Sequence, residues 1–201
     1  MYFLLKIDLL SAPIQRFKEK YPGAQIYMVQ SSAEQLFDQL HMRKADIAIC
    51  KEKVDQETDL VIETCYEWHH ALLVPLQHPL SVGDISLERL ASFPILTYNF
   101  GFTKRSNIES AFKNAGLEAD ITLAAADTDV IKTYVRLGMG VGLIAGMAYD
   151  PLTDQDLVAL DLSHLIPSSR TKIAYLKHNY LPLYSQHFIA ELLLAAKEIK
   201  C

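Results

Sequence analysis

Short apolar runs of strand length alternate along this chain with segments of helical period, and this alternation limits the fold to the α/β class. Asp46 to Cys50, Leu60 to Thr64, Ala71 to Leu76, Pro94 to Tyr98, Ile121 to Ala125, Gly140 to Ala145, Leu157 to Leu162 and Thr171 to Leu176 read as strands. Ala24 to Val29 alternates apolar and polar positions and reads as another. Between the strands, Ile14, Phe17 and Tyr21 stand three and four apart, a helix stopped by Pro22-Gly23. A second stripe, Leu36, Phe37, Leu40 and His41, follows Ser31 and Ser32, which are natural N-caps with Glu34 or Gln35 three residues on. Ser86 to Ala91 is a short helical turn. Arg105 to Ala115 is stopped by Gly116, and Val130 to Leu137, capped by Asp127-Thr128-Asp129, is stopped by Gly138. An amphipathic helix, Tyr184 to Lys200, closes the chain. The order of 24–29, the Ser31 helix and 46–50 predicts a parallel β-α-β pair with a right-handed crossover. Extended over the chain, the pattern predicts a mostly parallel sheet covered on both faces.

The 201 residues suffice for one domain or two lobes, and Pro94 breaks the chain near its middle. Two α/β lobes with the chain crossing between them fit the pattern: 1–95 with 172–201 as the first lobe and 96–171 as the second. The formal charge is -5, with no Lys/Arg run longer than two, so this chain is a poor binder of nucleic-acid backbone. No apolar run reaches the roughly 18 residues that cross a bilayer. The first ten residues lack the basic segment and cleavage site of a signal peptide, and the expected compartment is the cytoplasm. Cys50, Cys65 and Cys201 fit no zinc spacing and read as reduced, structural thiols.

Motifs that could carry chemistry give little. Gly138-Met139-Gly140-Val141-Gly142 follows a helix and opens none, so it reads as a close-packed corner and not a dinucleotide fingerprint. Adjacent His69 and His70 share no face of a regular element and make no metal pair, and no metal or cofactor is expected. Asp127 and Asp129 read as helix-capping acids. No nucleophile elbow, phosphate loop or Ser/His/Asp grouping is present, which argues against an enzyme. What recurs is hydroxyl and amide groups at helix starts: Ser31, Ser32 and Gln35; Thr103 and Ser106; Thr128 and Thr133. Such positions hold small anions or zwitterions without covalent chemistry.

Two segments carry a specific resemblance. Thr97-Tyr98-Asn99-Phe100-Gly101-Phe102-Thr103-Lys104-Arg105-Ser106 and Asp127 to Gly142 resemble segments of the CysB branch of LysR-type transcriptional regulators. Lys44 to Ile49 and Gln77-His78-Pro79-Leu80 are similar to commoner LysR-family features, and the match runs from about Ile14 to Ile189. The resemblance implies an effector-binding domain of two-lobed, periplasmic-binding-protein-like (type II) α/β fold with a ligand cleft between the lobes. It implies sulfate or O- and N-acetylserine-like effectors and control of sulfur assimilation and cysteine biosynthesis genes. Ser32, Gln35, Ser81 and Thr133 match the implied anion pocket, with Thr97 and Thr103 on the neighbouring segment. Tyr98, Phe100 and Phe102 either line the cleft or pack the core, the core being favoured.

One departure bears on the ligand. The branch usually reads Gly-Ser-Pro-Thr-Gln where this chain has Ser31-Ser32-Ala33-Glu34-Gln35, so Glu34 puts a carboxylate in place of a hydroxyl and marks a specificity position. An inward Glu34 repels a dianion and suits a cationic amine. The family's N-terminal winged helix-turn-helix is absent from this sequence, so DNA contact is expected only through that missing domain. Homodimers or tetramers are implied by the family. The alternative function is a solute-binding protein for a small anion or amino-acid derivative.

Overall fold

The computed structural model describes residues 7–29, 33–51, 58–99 and 107–198. In chain order the elements are α1 (Ile7–Lys20), α2 (Ala33–His41), β1 (Ala48–Lys51), β2 (Leu60–Trp68), β3 (His70–Pro75), α3 (Leu87–Leu90), β4 (Ile95–Tyr98), α4 (Asn107–Asn114), β5 (Ile121–Ala125), α5 (Thr128–Arg136), β6 (Val141–Ala145), β7 (Leu157–Asp161), β8 (Ser169–Leu176) and α6 (Leu183–Glu198). Short 3-10 turns add Pro79–Ser81 and Gly146–Ala148. These form two compact units. The first takes the described residues up to Glu67 together with those from Arg170, and the second spans Trp68–Ser169.

In the first unit β8 is the central strand of a three-stranded sheet, β1-β8-β2. β1 runs antiparallel to β8, with Ala48 opposite Ala174 and Ile49 opposite Ile173. The period of two sends alternate residues to opposite layers. Ala48, Cys50 and Ala174 pack against Leu36 and Leu40 of α2. Ile49 and Ile173 pack on the other face against Leu10 and Phe17 of α1 and Phe188, Ile189 and Leu192 of α6. Arg16 Nε meets Glu191 at 2.5 Å, the Phe17 and Phe188 rings lie 5.2 Å apart, and Tyr21 hydrogen-bonds His187. These three pairs make α1 and α6 antiparallel neighbours.

The second unit holds a five-stranded sheet of order β5-β4-β6-β3-β7. β4 lies parallel to both β5 and β6, while β3 is antiparallel to β6 and to β7. One face buries Leu72, Ile95, Val141 and Leu143 under Ile108 and Phe112 of α4. The other buries Leu73, Leu96, Tyr98 and Ile144 under Ile131 and Val135 of α5. At the corner between α5 and β6, a Cβ on Gly142 would lie 3.1 Å from both Leu73 and Val135, and one on Gly140 would meet Pro94. These two are packing glycines, as the sequence suggested, while Gly138, at φ +73 with nothing within 4 Å of an added Cβ, serves the turn.

Three expectations change. Ala24 to Val29 is irregular, with Tyr27 74% exposed, although its alternation reads as a strand. Alternation fixes which side chains share a face, but a strand also needs a partner backbone, and none pairs with this segment among the described residues. The parallel β-α-β unit is therefore absent, and β1 pairs instead with β8, more than a hundred residues away in the chain. Both sheets contain antiparallel pairs, so a mostly parallel sheet is not what forms. The lobe boundary also falls elsewhere: the sequence reading placed the first crossing at 95, and the units divide between Glu67 and Trp68. β3 decides this, because it pairs with β6 and β7 within the second unit.

Candidate functional site

The parallel trio β5-β4-β6 gives the second unit a carboxyl edge where strand ends and a helix start converge, the usual ligand-facing edge of an α/β sheet. The β4–β6 ladder pairs Ile95 with Val141 and Leu96 with Gly142. Beyond that point side chains of β4 bridge to the backbone of β6. Thr97 Oγ1 donates to the Leu143 carbonyl at 2.8 Å, and the Ala145 amide donates to the Tyr98 hydroxyl at 3.2 Å. The same hydroxyl lies 2.9 Å from Thr128 Oγ1 in the first turn of α5. Tyr98 is buried in the core on the α5 side, and its burial pushes the phenol above its ordinary pKa. The core reading of Tyr98 thus holds; Phe100 and Phe102 lie outside the described residues.

α5 starts because Asp127, in extended conformation, accepts the Asp129 amide through its side chain at 2.7 Å. Asp127 is the cap the sequence suggested, and Asp129 lies in the first turn, where the helix dipole favours an acid. Farther along, α5 carries an ion cluster that no sequence signal singled out. Lys132 Nζ lies 2.6 Å from Asp154 Oδ2, with both residues buried. Arg136 reaches Asp154 at 2.9 Å and Asp156 at 2.7 Å, and the Asp150 amide donates to Asp154 at 3.1 Å. Burial pushes the Asp154 carboxyl up, but the hydrogen bonds from Lys132, the Asp150 amide and Arg136 outweigh it and hold the carboxyl below its ordinary value. The cluster ties α5 to the loop before β7.

The sequence-derived site residues separate by place. Thr97 is buried at the carboxyl edge. Thr133 is exposed on the second turn of α5 and donates to the Asp129 carbonyl at 2.7 Å. Ser81 follows β3, which is antiparallel to β6, and so stands at the opposite end of the sheet from Thr97; its hydroxyl donates to the His78 carbonyl at 2.7 Å. These three hydroxyls hand their hydrogens to backbone carbonyls and keep their lone pairs. Gln35 is exposed in the first turns of α2. Glu34 belongs to the α2 backbone, but its side chain, like Ser32 and Thr103 altogether, lies outside the described residues.

Other candidates take structural places. His78 Nδ1 accepts the Leu80 amide at 3.2 Å, and burial lowers the pKa of its ring. His41 pairs with Asp59 at 2.8 Å. Among the described residues no group of three or more His, Cys, Asp or Glu is placed to hold a metal ion. Burial pushes the Cys50 thiol up to about 12 and the Cys65 thiol up to about 11, so both are poor nucleophiles near neutrality. No described helix is long and apolar enough to cross a membrane.

The sequence profile of the LysR substrate binding domain matches residues 6–197. The chain belongs to that family. This LysR-family domain is 43% identical over 178 residues to the HTH-type transcriptional regulator SsuR of Burkholderia cenocepacia, covering 88% of this chain and 58% of that protein. It is 42% identical over 182 residues to the HTH-type transcriptional regulator CysB of Haemophilus influenzae, covering 90% and 56%. The domain therefore spans little more than half the length of these relatives. The crystal structure of the cofactor-binding domain of the Cbl transcriptional regulator superposes with TM-score 0.85 at 34% identity, covering 94% of this chain and 86% of that one. The effector-binding domain of QuiR in complex with shikimate shares the fold, with TM-score 0.80 at 18% identity over 98% of this chain and 94% of that one. The architecture is the two-unit α/β fold of type II periplasmic-binding-like effector domains. In this LysR-family domain the Tyr98–Thr128 hydrogen bond joins the two segments that carry the CysB-like resemblance, some thirty positions apart in sequence.

Proposed function

We propose that this chain is the effector-sensing domain of a LysR-type transcriptional regulator that controls sulfur assimilation and cysteine biosynthesis genes. Its effector is sulfate or an O- or N-acetylserine-like compound. The observation that carries this reading is the similarity to CysB and SsuR across most of the domain. The joining of the two CysB-like segments at the carboxyl edge supports it. Ser32, Gln35, Thr97, Thr103 and Thr133 are the proposed ligand contacts; Ser81, at the far end of the sheet from Thr97, is the weakest member of the set. DNA binding belongs to an N-terminal winged helix-turn-helix of a longer, cytoplasmic, oligomeric protein. Effector binding acts by favouring one arrangement of that protein over another.

The test is a thermal-shift screen of this domain with sulfate, thiosulfate, O-acetylserine, N-acetylserine and cysteine. A ligand of the folded state at a hundred times its Kd adds about 2.7 kcal/mol, which raises the Tm of a domain this size by roughly 5–10 °C. No shift with any of the five would detach the domain from sulfur sensing. Glu34 decides between the two ligand classes. An inward carboxylate about 4 Å from the ligand costs a dianion about 1 kcal/mol or more even in water, so Glu34→Thr is expected to tighten sulfate binding about fivefold by titration calorimetry. Equal affinities would remove Glu34 from the pocket.

A further inference from the structure

We infer that Thr171 contributes a hydrogen bond to the effector, through a hydroxyl that the fold buries and leaves without a partner. Thr171 is 1% exposed, and its Oγ1 meets no hydrogen-bond partner among the described residues. A hydroxyl taken out of water and not bonded carries an uncompensated desolvation cost, and valine, of the same shape, would avoid it.

The place of this hydroxyl follows from register and packing. Thr171 stands opposite Lys51, two positions from the Ile49–Ile173 pair. The period of two therefore turns Thr171 toward the layer where Ile49 and Ile173 pack under α1 and α6. α6 starts at Leu183, shortly after β8 ends at Leu176, so its N-terminal half lies at the C-terminal end of β8. Tyr21, at the C-terminal end of α1, bonds His187 at that same end. Antiparallel to α6, α1 therefore has its described N-terminal residues, from Ile7, toward the opposite end, the end that holds Thr171. A buried, unpartnered hydroxyl at that end of the sheet is a donor for an oxygen of a small anion or carboxylate. This deepens the effector reading above and rests on it: the oxygen belongs to sulfate or to the carboxylate of an acetylserine.

Titration calorimetry on the whole chain tests this, with sulfate, thiosulfate, O-acetylserine, N-acetylserine and cysteine as probes and Tm measured alongside. Thr171→Val is expected to weaken the probe that binds the native chain at least tenfold, with Tm unchanged or raised. Thr171→Ser, which keeps the hydroxyl, is expected to stay within about threefold of native affinity. If valine raises Tm and leaves affinity at the native value, the hydroxyl is an orphan of the fold and the assignment is overturned. If serine loses as much as valine, the methyl packing is what matters, and the assignment is likewise overturned. Should Thr171→Val not fold, Thr171→Ala against Thr171→Ser makes the same comparison. A native chain that binds none of the probes sinks the effector reading and this inference with it. A native chain that binds while Thr171→Val binds equally sinks this inference alone.

Discussion

Gly140 has no room for a side chain. A Cβ there would sit 2.3 Å from the Pro94 carbonyl oxygen and 3.0 Å from its carbon, where the Val141 amide already bonds that oxygen at 2.9 Å. Backbone cannot move aside as a flexible side chain can. Gly140→Ala is expected to cost about 3 kcal/mol in urea unfolding. Gly116, at φ +72 with nothing within 4 Å of an added Cβ, makes the control. Gly116→Ala should cost only about 1–2 kcal/mol, the penalty of a left-handed conformation. Equal costs would mean that the Pro94 approach is looser than described. At this scale the sequence was informative where the physics is local. The Asp127 cap and the corner glycines were legible because capping and tight packing between adjacent elements need only neighbours in the chain. The unpartnered hydroxyl of Thr171 was not, since nothing in Arg170-Thr171-Lys172 says what lies opposite.

Among elements, α5 concentrates the consequences. Its N-terminus meets β4 through Thr128, and its middle is fixed to the loop before β7 by Lys132, Arg136 and Asp154. Removing one partner from a buried pair leaves the other uncompensated, so Asp154→Ala is expected to destabilise the protein by about 3 kcal/mol at pH 7. The pH dependence has a definite sign. The folded protein holds the Asp154 carboxyl below its ordinary 3.8. Its contribution is fully present above that value and is lost as pH falls through the folded pKa. Denaturation series from pH 7 to pH 3 should therefore show the gap between native protein and Asp154→Asn closing below about pH 4. A gap independent of pH would show that packing, not charge, joins α5 to the loop. Lys132 reads in sequence as one more polar residue of an amphipathic helix, because the carboxylate that buries it arrives 22 positions later. Ala24 to Val29 errs the other way: its local pattern is strand-like, and pairing, which the pattern cannot supply, decides its structure.

For the whole molecule, charge sets what the chain does alone. At a net -5, with no Lys/Arg run longer than two, its composition does not favour counterion-release binding to a polyanion. In a mobility-shift assay at physiological salt this chain is expected to leave duplex DNA unretarded at tens of micromolar, where non-specific binders of the usual strength retard it. Retardation would place DNA contacts on the effector domain itself. The chain enters and leaves the second unit once each, at Glu67–Trp68 and Ser169–Arg170. Both crossings lie beside strands that pair across long separations, β3 with β6 and β1 with β8.

The sequence by itself determined the α/β class, nearly every described helix and strand, the stops of α4 and α5, the cap of α5, and the family, through two segments whose residue order is specific. These follow from periodicity, turn chemistry and composition, all readable within a dozen residues. Tertiary structure alone decided that both sheets contain antiparallel pairs, that β3 belongs to the second unit, that Ser81 and Thr97 stand at opposite ends of one sheet, and that Lys132 and Thr171 are buried. Each depends on which strand edge or side chain arrives from a distant part of the chain. Strand direction and burial are set by partners, and a local pattern specifies a face without naming the partner that covers it.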